Sequence, residues 1–275
     1  MKTEEKVAGH YTRGKLEEAI LAAAKAAGKD TAQLTASDLT AIDEFHVGGL
    51  EATQMLARGM GLRADMALLD VGCGIGGPAR YFAGEQNCRV TGIDLTEEFV
   101  KTAESLTKLV KLDARANFRL ASALAMPFAA ETFEGAYMIH VGMNLADKAG
   151  VFREVGRVLK SGAQFTIFDL MRGREGTLRF PLPWATSEET SFVVNAEQYR
   201  KALEAAGFVV EKEQSHLAFA VEFTQRTASR LAASGPPALG LHVLMGEKTP
   251  MMLKNVLEGM VEGIFDVIEM TGRKK

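Results

Sequence analysis

The chain has 275 residues, enough for one large domain or two small ones. Apolar residues make up 47% of it and charged residues 24%, which is ordinary for a globular protein and excludes disorder over most of its length. The 32 Lys and Arg residues against 35 Asp and Glu residues give a net charge of −3, which argues against a nucleic-acid-binding module. Two cysteines, Cys73 and Cys88, are too few for a disulfide framework or a zinc site, so no bound metal is expected.

The sequence shows no apolar segment typical of a secretory signal. Its longest uncharged stretch, residues 231–246, contains two prolines and several glycines, unlike a lipid-spanning helix. We therefore expect a cytoplasmic protein without a membrane partner.

Apolar residues at helical spacing predict helices through the first 60 residues. From residue 66 onward, short apolar strands alternate with helices of 10–15 residues, one of them predicted over residues 147–160. The predicted strands span residues 67–71, 89–94, 117–120, 133–141, 164–170, 208–212 and 264–270. This alternation indicates βαβ units and a largely parallel sheet of the α/β class.

The last third departs from this alternation. Residues 171–194 form a long connection that contains Trp184, and a loop of this length in a compact domain is usually functional. Asn195 and Gln198 match a capping box at the start of the next helix. Residues 217–262 are predicted to be helical, with a Gly-Pro-Pro interruption.

A glycine-rich turn follows the first predicted strand, with the sequence Leu69-Asp-Val-Gly-Cys-Gly-Ile-Gly-Gly77. Glycines at such a turn let the backbone reverse tightly and let a ligand approach it closely. The next helix then points free N–H groups at the ligand. Asp94 ends the following strand, 20 residues after Gly74, where a carboxylate can bind both hydroxyls of a ribose.

The turn supports two nucleotide interpretations. Gly72, Gly74 and Gly77 satisfy the GxGxxG dinucleotide fingerprint, which would suit an NAD-dependent oxidoreductase. Asp70 favours the other interpretation, because a carboxylate two residues before the first glycine can hold the turn's amides but would repel a pyrophosphate.

Four motifs in order resemble those of class I S-adenosylmethionine-dependent methyltransferases: LLDVGCGIGG, VTGIDLT, AMPFAAETFEGAYMIHVGMNLADK and EVGRVLKSGAQFTIFD. The resemblance covers about residues 40–215. It is to methyltransferase type 11 enzymes, including quinone-biosynthesis C-methyltransferases and sarcosine/dimethylglycine N-methyltransferase-like enzymes. It implies a Rossmann-like, doubly wound, seven-stranded sheet whose last strand is antiparallel. A helical amino-terminal lid (1–60) would precede a methyltransferase domain (61–275), in which the 171–194 loop and the 217–262 insertion cap the acceptor.

The resemblance also implies the cofactor S-adenosylmethionine (SAM), which leaves as S-adenosylhomocysteine (SAH). Asp94 would bind the ribose, Leu95 would pack on the adenine, and Asp70 would support the turn. Many relatives carry Asp where this chain has Ser122, so Ser122 is an uncertain ligand. The implied cofactor-binding residues are Asp70, Gly72, Gly74, Gly76, Asp94, Leu95, Ser122, Ala123, His140 and Asn144.

Two histidines are candidate catalytic residues. His140 is predicted to end the fourth strand, where the family faces the methyl group and the acceptor, so it is either a base or a core histidine. His46 precedes the helix that leads to the glycine turn, where related N-methyltransferases have a His-x-Gly element.

Three further residues are candidates for binding the acceptor. Tyr11 lies in the predicted lid. Asp169 ends the fifth strand at the ligand-binding edge of the sheet, although helix capping explains it equally well. Trp184 either walls the acceptor site or packs beneath its loop. The methionines of 243–260 either fill the core or line the acceptor site.

The sequence thus predicts SAM-dependent methylation of a small molecule, first of a nitrogen or oxygen atom, with a C-methyltransferase of the quinone or polyketide type as the alternative. An NAD-dependent oxidoreductase and a non-catalytic SAM-binding protein are the alternatives from other classes. We expect no nucleic-acid partner, and a homodimer is compatible with the sequence.

Overall fold

The computed structural model describes residues 3–275 and contains one seven-stranded sheet with the order β3-β2-β1-β4-β5-β7-β6. Strands β1 to β5 pair in parallel, and β7 runs antiparallel between β5 and β6. The strands are β1 (Ala67–Val71), β2 (Arg89–Asp94), β3 (Ala116–Leu120), β4 (Phe133–Ile139), β5 (Leu159–Arg172), β6 (Phe208–Ser215) and β7 (Phe265–Lys274). The predicted α/β class and the antiparallel last strand are confirmed.

Helices cover both faces of the sheet and its carboxyl edge. They are α1 (Thr3–Tyr11), α2 (Leu16–Ala26), α3 (Ala36–Asp43), α4 (Gly49–Gly59), α5 (Gly77–Gly84), α6 (Glu97–Leu109), α7 (Lys148–Val158), α8 (Ala196–Ala205), α9 (Leu217–Ser234), α10 (His242–Met245) and α11 (Thr249–Val261). The predicted capping box at Asn195 and Gln198 is present at the start of α8. Across residues 3–275, no helix is both long and apolar enough to cross a bilayer.

Several predicted boundaries differ from the structure, since β5, β6 and β7 all extend further than predicted, and two of the differences have a clear local reason. Helix α7 ends at Val158 rather than at residue 160, and β5 begins at Leu159, because Leu159 already pairs with Phe133 of β4. Strand β4 ends at Ile139, before His140, because His140 has a φ of 52° and leaves the extended conformation.

Three apolar clusters form the core. One joins α4 and α5 to one face of the sheet, and a second joins α7 and α8 to the other face. The third packs α2, α3 and α10 against α6. The four helices within the predicted lid (1–60) therefore do not form one unit. Helix α4 lies inside the main core, whereas α1 to α3 lie near the carboxyl edge of the sheet.

Candidate cofactor and acceptor site

A cavity of about 690 Å³ lies at the carboxyl edge of the sheet, bordered by the ends of β1, β2 and β4. The strand order reverses between β1 and β4, and open α/β sheets bind ligands at such a switch point. Helices α1, α9 and α11 and the loop at Pro183 and Trp184 complete the walls. One cavity therefore connects the glycine turn with the predicted cap.

The glycine turn is held by the end of β2. The amides of Gly72 and Cys73 both donate to the carbonyl of Ile93 at 2.9 Å, and the Gly74 amide donates to Asp94 Oδ2 at 3.0 Å. Gly74 has a φ of 53°, and a Cβ there would meet nothing within 4 Å. The backbone at Gly74 is therefore bare toward the cavity, as a closely bound ligand requires.

The other glycines of the turn serve the fold as well. A Cβ on Gly72, which lines the cavity, would lie 2.5 Å from Val141 Cγ2. Gly76 does not line the cavity, contrary to its predicted cofactor role, and a Cβ there would strike Phe118 and Arg80. Gly76 is needed for packing against neighbouring side chains.

Asp94 lines the cavity at the end of β2, as predicted. Its carboxylate accepts the amides of Gly74 and Thr96, the latter at 2.8 Å. An ionised carboxylate has about four acceptor positions, and the place of Asp94 on the cavity wall lets it also accept hydrogen bonds from ribose hydroxyls. Burial raises the pKa of Asp94, and the amide bonds oppose that rise.

Asp70 lines the cavity but does not hold the amides of the turn, which corrects its predicted role. Asp70 pairs across the sheet with Tyr137 of β4, so both side chains project to the same face. The Tyr137 hydroxyl donates to Asp70 Oδ2 at 3.1 Å. Burial raises the pKa of Asp70 to about 8.

The three residues predicted to lie near the adenine do not all line the cavity. Leu95 and Ala123 line the cavity, but Ser122 does not. The Ser122 hydroxyl donates to Glu4 Oε1 of α1 and accepts the Leu124 amide at 3.1 Å. Ser122 therefore connects α1 to the site instead of facing the cofactor space.

His140 lines the cavity just after β4. The Val47 amide donates to His140 Nδ1 at 3.2 Å, which places the proton of the neutral ring on Nε2. Nε2 is buried and has no hydrogen-bond partner among the described residues. Burial, with a smaller effect of His46, lowers the pKa of His140 well below its usual value. At neutral pH the ring thus offers an N–H donor, which does not fit the predicted base.

His46 also lines the cavity, with its ring centroid 5.9 Å from that of His140. Its Nε2 lies 3.1 Å from the Gly49 carbonyl oxygen and 3.3 Å from Thr53 Oγ1. Burial lowers the pKa of His46 to about 4. A neutral ring held by its own loop fits a structural role at the entrance to α4 better than catalysis.

Tyr11 and Asn144 both line the cavity and bind each other. The Tyr11 hydroxyl donates to Asn144 Oδ1 at 3.1 Å, and burial raises the pKa of Tyr11. The adjacent His10 Nε2 lies 2.9 Å from the Pro183 carbonyl oxygen. Helix α1 therefore joins the loop after β4 to the 171–194 loop over the cavity.

Trp184 is buried, which agrees with its predicted alternative of packing beneath its loop. Its side chain is 3% exposed and packs edge-on against Phe265, with ring centroids 5.6 Å apart. Its indole N–H donates to Ser191 Oγ at 2.9 Å. Trp184 also lines the cavity, so it is at once part of the core and part of the wall.

Asp169 does not line the cavity, contrary to its predicted acceptor-binding role. The carboxylate is fully buried and accepts the Gly142 amide at 2.7 Å and the Tyr199 hydroxyl at 2.8 Å. Burial raises its pKa to about 6. Asp169 therefore fixes the turn Gly142–Asn144, which presents Asn144 to Tyr11.

The methionines of 243–260 belong to the core or the surface. Met245, Met252 and Met260 are buried in apolar clusters, whereas Met251 is 54% exposed. None of these four lines the cavity. Within residues 3–275, no group of three His, Cys, Asp or Glu side chains is placed to hold a metal ion.

The sequence predicted that 217–262 caps the acceptor but singled out no wall residue there besides the methionines. The structure shows that Phe223, Thr227 and Leu231 of α9 line the cavity, together with Leu253 and Leu257 of α11. Each set is spaced four residues apart along its helix, which is the spacing of one helical face. That periodicity was the available signal.

This chain resembles known proteins in both sequence and fold. Residues 69–167 match the model of a family described as a methyltransferase domain. Cycloartenol-C-24-methyltransferase from Arabidopsis thaliana is 36% identical over 114 residues, which are 42% of this chain and 34% of that protein. Methyltransferase GfsG from Streptomyces halstedii is 30% identical over 134 residues, or 49% of this chain and 48% of that protein. The chain thus spans less than half the length of these curated relatives.

A solved structure extends the likeness to the whole fold. Geranyl diphosphate C-methyltransferase from Streptomyces coelicolor A3(2), in complex with Mg²⁺, geranyl-S-thiolodiphosphate and SAH, superposes with a TM-score of 0.73. The superposition covers 100% of this chain and 99% of that chain at 15% identity. Residues 69–167 therefore match a methyltransferase domain, and the chain has the Rossmann-like fold of a methyltransferase.

Proposed function

We propose that this protein binds SAM at the glycine-turn end of the cavity and transfers its methyl group to a small molecule held at the other end. The observation that carries the proposal is the continuity of the cavity. It joins the bare backbone of Gly74 and the carboxylate of Asp94 to side chains of α9 and α11. Donor and acceptor can therefore meet in one enclosed space.

The residues at the glycine-turn end fit SAM. The open space above Gly74 admits a ligand against the backbone, and Asp94 keeps acceptor positions for a ribose. Leu95 and Ala123 supply an apolar surface nearby. The neighbouring Asp70 receives only a tyrosine hydroxyl, so a positively charged ligand would be stabilised there.

When bound, SAM would supply an electrophilic methyl group: the C–S bond would break with its electron pair staying on sulfur, an electron pair of the acceptor would form the new bond, and the methylated acceptor would then release a proton to water. The protein's own contribution is orientation and exclusion of water, and orientation can account for about 7–11 kcal/mol of a barrier. The bonds from Tyr11 to Asn144 and from His10 to Pro183 hold α1 over the site for this purpose.

Carbon is the methylated atom that the observations favour. Two of the similar proteins are named as C-methyltransferases. His140 presents an N–H donor rather than a base, so it would not deprotonate a hydroxyl before attack, whereas the π electrons of an alkene attack a methyl group without prior loss of a proton. We therefore place the C-methyltransferase alternative ahead of the N- or O-methylation that the sequence suggested first.

The remaining expectations belong to this proposal as well. Cys73 and Cys88 are buried free thiols, which suits the reducing cytoplasm. The net charge of −3 gives no support for a nucleic-acid partner. Absence of a membrane partner and the homodimer remain predictions.

The test is turnover of a panel of uncharged and charged metabolites with SAM, with mass detection of the gain of one CH₂ group. We expect a product with the wild-type protein and none with Asp94→Ala. Binding of NADH without binding of SAM would instead support the oxidoreductase alternative. Tight SAM binding without any product over a broad panel would support a non-catalytic SAM-binding protein.

A further inference from the structure

The half of the cavity away from the glycine turn has an almost wholly apolar wall. It is formed by Phe223 and Leu231 of α9, by Leu253, Val256 and Leu257 of α11, and by Trp184. Burial of apolar ligand surface against such side chains stabilises the bound ligand through the hydrophobic effect.

One charged side chain belongs to the α9 and α11 part of this wall, and it faces outward. Lys254 is 71% exposed in its side chain, and its Nζ lies 3.7 Å from Glu258 Oε1 of the same helix. Within the described residues, α9 and α11 therefore present no buried charge to the cavity. A charged acceptor would lose hydration without gaining an ion pair from them.

Three buried polar atoms of the cavity lining have no hydrogen-bond partner within residues 3–275. One is Asp43 Oδ1, whose carboxylate is already ion-paired through Oδ2 with Arg80. The other two are His140 Nε2, near the end of β4, and Thr227 Oγ1 on α9. The neighbouring Thr224 differs, because its hydroxyl donates to the Ala220 carbonyl at 2.8 Å. An unsatisfied buried polar atom is unfavourable, and a ligand that supplies the missing partner removes that penalty.

His140 restricts what this partner is. Because the Val47 amide occupies Nδ1, the neutral ring donates from Nε2. The partner must then be an atom with a lone pair, such as a carbonyl or hydroxyl oxygen. An ammonium group would place N–H against N–H.

We propose that the methyl acceptor is an uncharged, mainly hydrocarbon molecule whose body lies against α9 and α11 and whose oxygen accepts a hydrogen bond from His140 Nε2–H. This inference rests on the proposed function, since it assigns the acceptor end of the same cavity. It excludes both cationic amines and anionic phosphates or carboxylates as the preferred acceptor class.

The test uses the full chain saturated with SAH, so that the cofactor end is filled and no turnover occurs. Trp184 is the only tryptophan, and its fluorescence reports on ligands in the cavity. Four ten-carbon probes are titrated: 2-decanone, 1-decanol, decylammonium and decanoate. We expect the ketone and the alcohol to bind about ten-fold or more tighter than either ion, a difference of about 1.4 kcal/mol.

Two faces of α11 supply matched variants. Leu257→Glu places a carboxylate inside the cavity and should weaken 2-decanone binding about ten-fold or more. Met251→Glu makes the same change on the exposed face and should leave it unchanged. SAH affinity reports on folding in both, and the wild-type probe series decides the question alone if Leu257→Glu does not fold.

His140→Phe tests the oxygen contact. Loss of one hydrogen bond should weaken 2-decanone binding about five-fold to ten-fold. Equal binding of ions and ketone, binding of no probe, or unchanged ketone affinity in His140→Phe, each with normal SAH binding, would overturn the inference. Failure of SAH itself to bind would instead contradict the proposed function.

Discussion

The two ends of the cavity are built in different ways. The glycine-turn end comes from two consecutive strand–helix units and is fixed by backbone amides, with Gly74 bound to Asp94 at 3.0 Å. The acceptor end is assembled from distant segments through side chains. Tyr11 and Asn144 are 133 residues apart, and His10 and Pro183 are 173 residues apart. The first end is encoded by residues close together in the sequence, whereas the second depends on the packing of distant segments against one another.

The first prediction, which has the largest expected effect, is a substitution that fills the space at the glycine-turn end of the cavity. Gly74→Val should weaken SAM binding by about three orders of magnitude or more, about 4 kcal/mol, because its side chain enters open cavity. Calorimetry measures the affinity. Gly162→Val is the matched control, because Gly162 has a φ of +75° and equally open surroundings, but lies outside the cavity lining.

Both glycine variants should lose about 1–2 kcal/mol of stability from the left-handed backbone. Gly162→Val should keep wild-type SAM affinity. Normal SAM binding by Gly74→Val would mean that the cofactor lies elsewhere.

The same contrast explains what the sequence could predict. The alternation of strands and helices and the positions of Gly74 and Asp94 follow from local motifs, since a strand, a turn and a helix are encoded by adjacent residues. The doubly wound sheet was implied by the family resemblance of those motifs. Asp70 was assigned the wrong partner because Tyr137 is 67 residues away and meets it only through strand pairing.

The acceptor end could be predicted only as a segment. Thr227 of α9 gains its place in the wall from docking of the insertion, which no local pattern records. The sequence predicted Asp169 at the ligand-binding edge of the sheet, but its carboxylate instead accepts hydrogen bonds from the Gly142 amide and the Tyr199 hydroxyl. Such competition for a side chain is decided by tertiary structure.

The second prediction concerns Trp184, which serves both the core and the wall. Trp184→Ala should lower the free energy of unfolding by about 3 kcal/mol, since it removes a buried ring packed on Phe265. SAM affinity should change by no more than a few-fold. Chemical denaturation and calorimetry measure the two quantities, and Trp184→Phe should recover most of the stability. A wild-type unfolding curve for Trp184→Ala would show that the ring is not part of the core.

The third prediction uses pH at the cofactor end. The pKa of Asp70 is raised to about 8, so the folded apo protein holds a proton that the unfolded chain releases near pH 4. Folding therefore binds a proton between about pH 4 and pH 8, and the contribution of Asp70 to stability falls as pH rises through that range. Relative to Asp70→Asn, the wild-type apo protein should lose about 1–2 kcal/mol between pH 6.5 and pH 8.

Denaturation of both proteins at the two pH values measures this difference. Binding of SAM should favour the ionised carboxylate and release protons, which calorimetry in buffers of different ionisation enthalpy detects. A stability difference that is the same at both pH values would show that Asp70 is ionised throughout.

The fourth prediction has the smallest expected effect and concerns His140 at the acceptor end, whose ring should not titrate near neutral pH. Burial lowers the pKa of His140 well below its usual value, so its ring should remain neutral from pH 6 to pH 8. Nitrogen NMR of labelled histidine should show the Nε2–H form throughout, with the signal assigned by comparison with His140→Gln. A midpoint near 6.5 would restore His140 as a candidate base.

The most direct test of the account is calorimetric titration of SAM and NADH into wild type and Asp94→Ala. Asp94 would contribute two charge-assisted bonds to the ribose, each worth about 1.5–3 kcal/mol. Glu97→Ala is the control, because Glu97 is the first residue of α6, the helix that follows Asp94, and its carboxylate pairs only with the exposed Lys101. We expect one SAM site per chain and no heat from NADH. The affinity for SAM should fall about a hundred-fold or more in Asp94→Ala and should be unchanged in Glu97→Ala. Heat from NADH, or equal SAM affinity in all three proteins, would contradict the account.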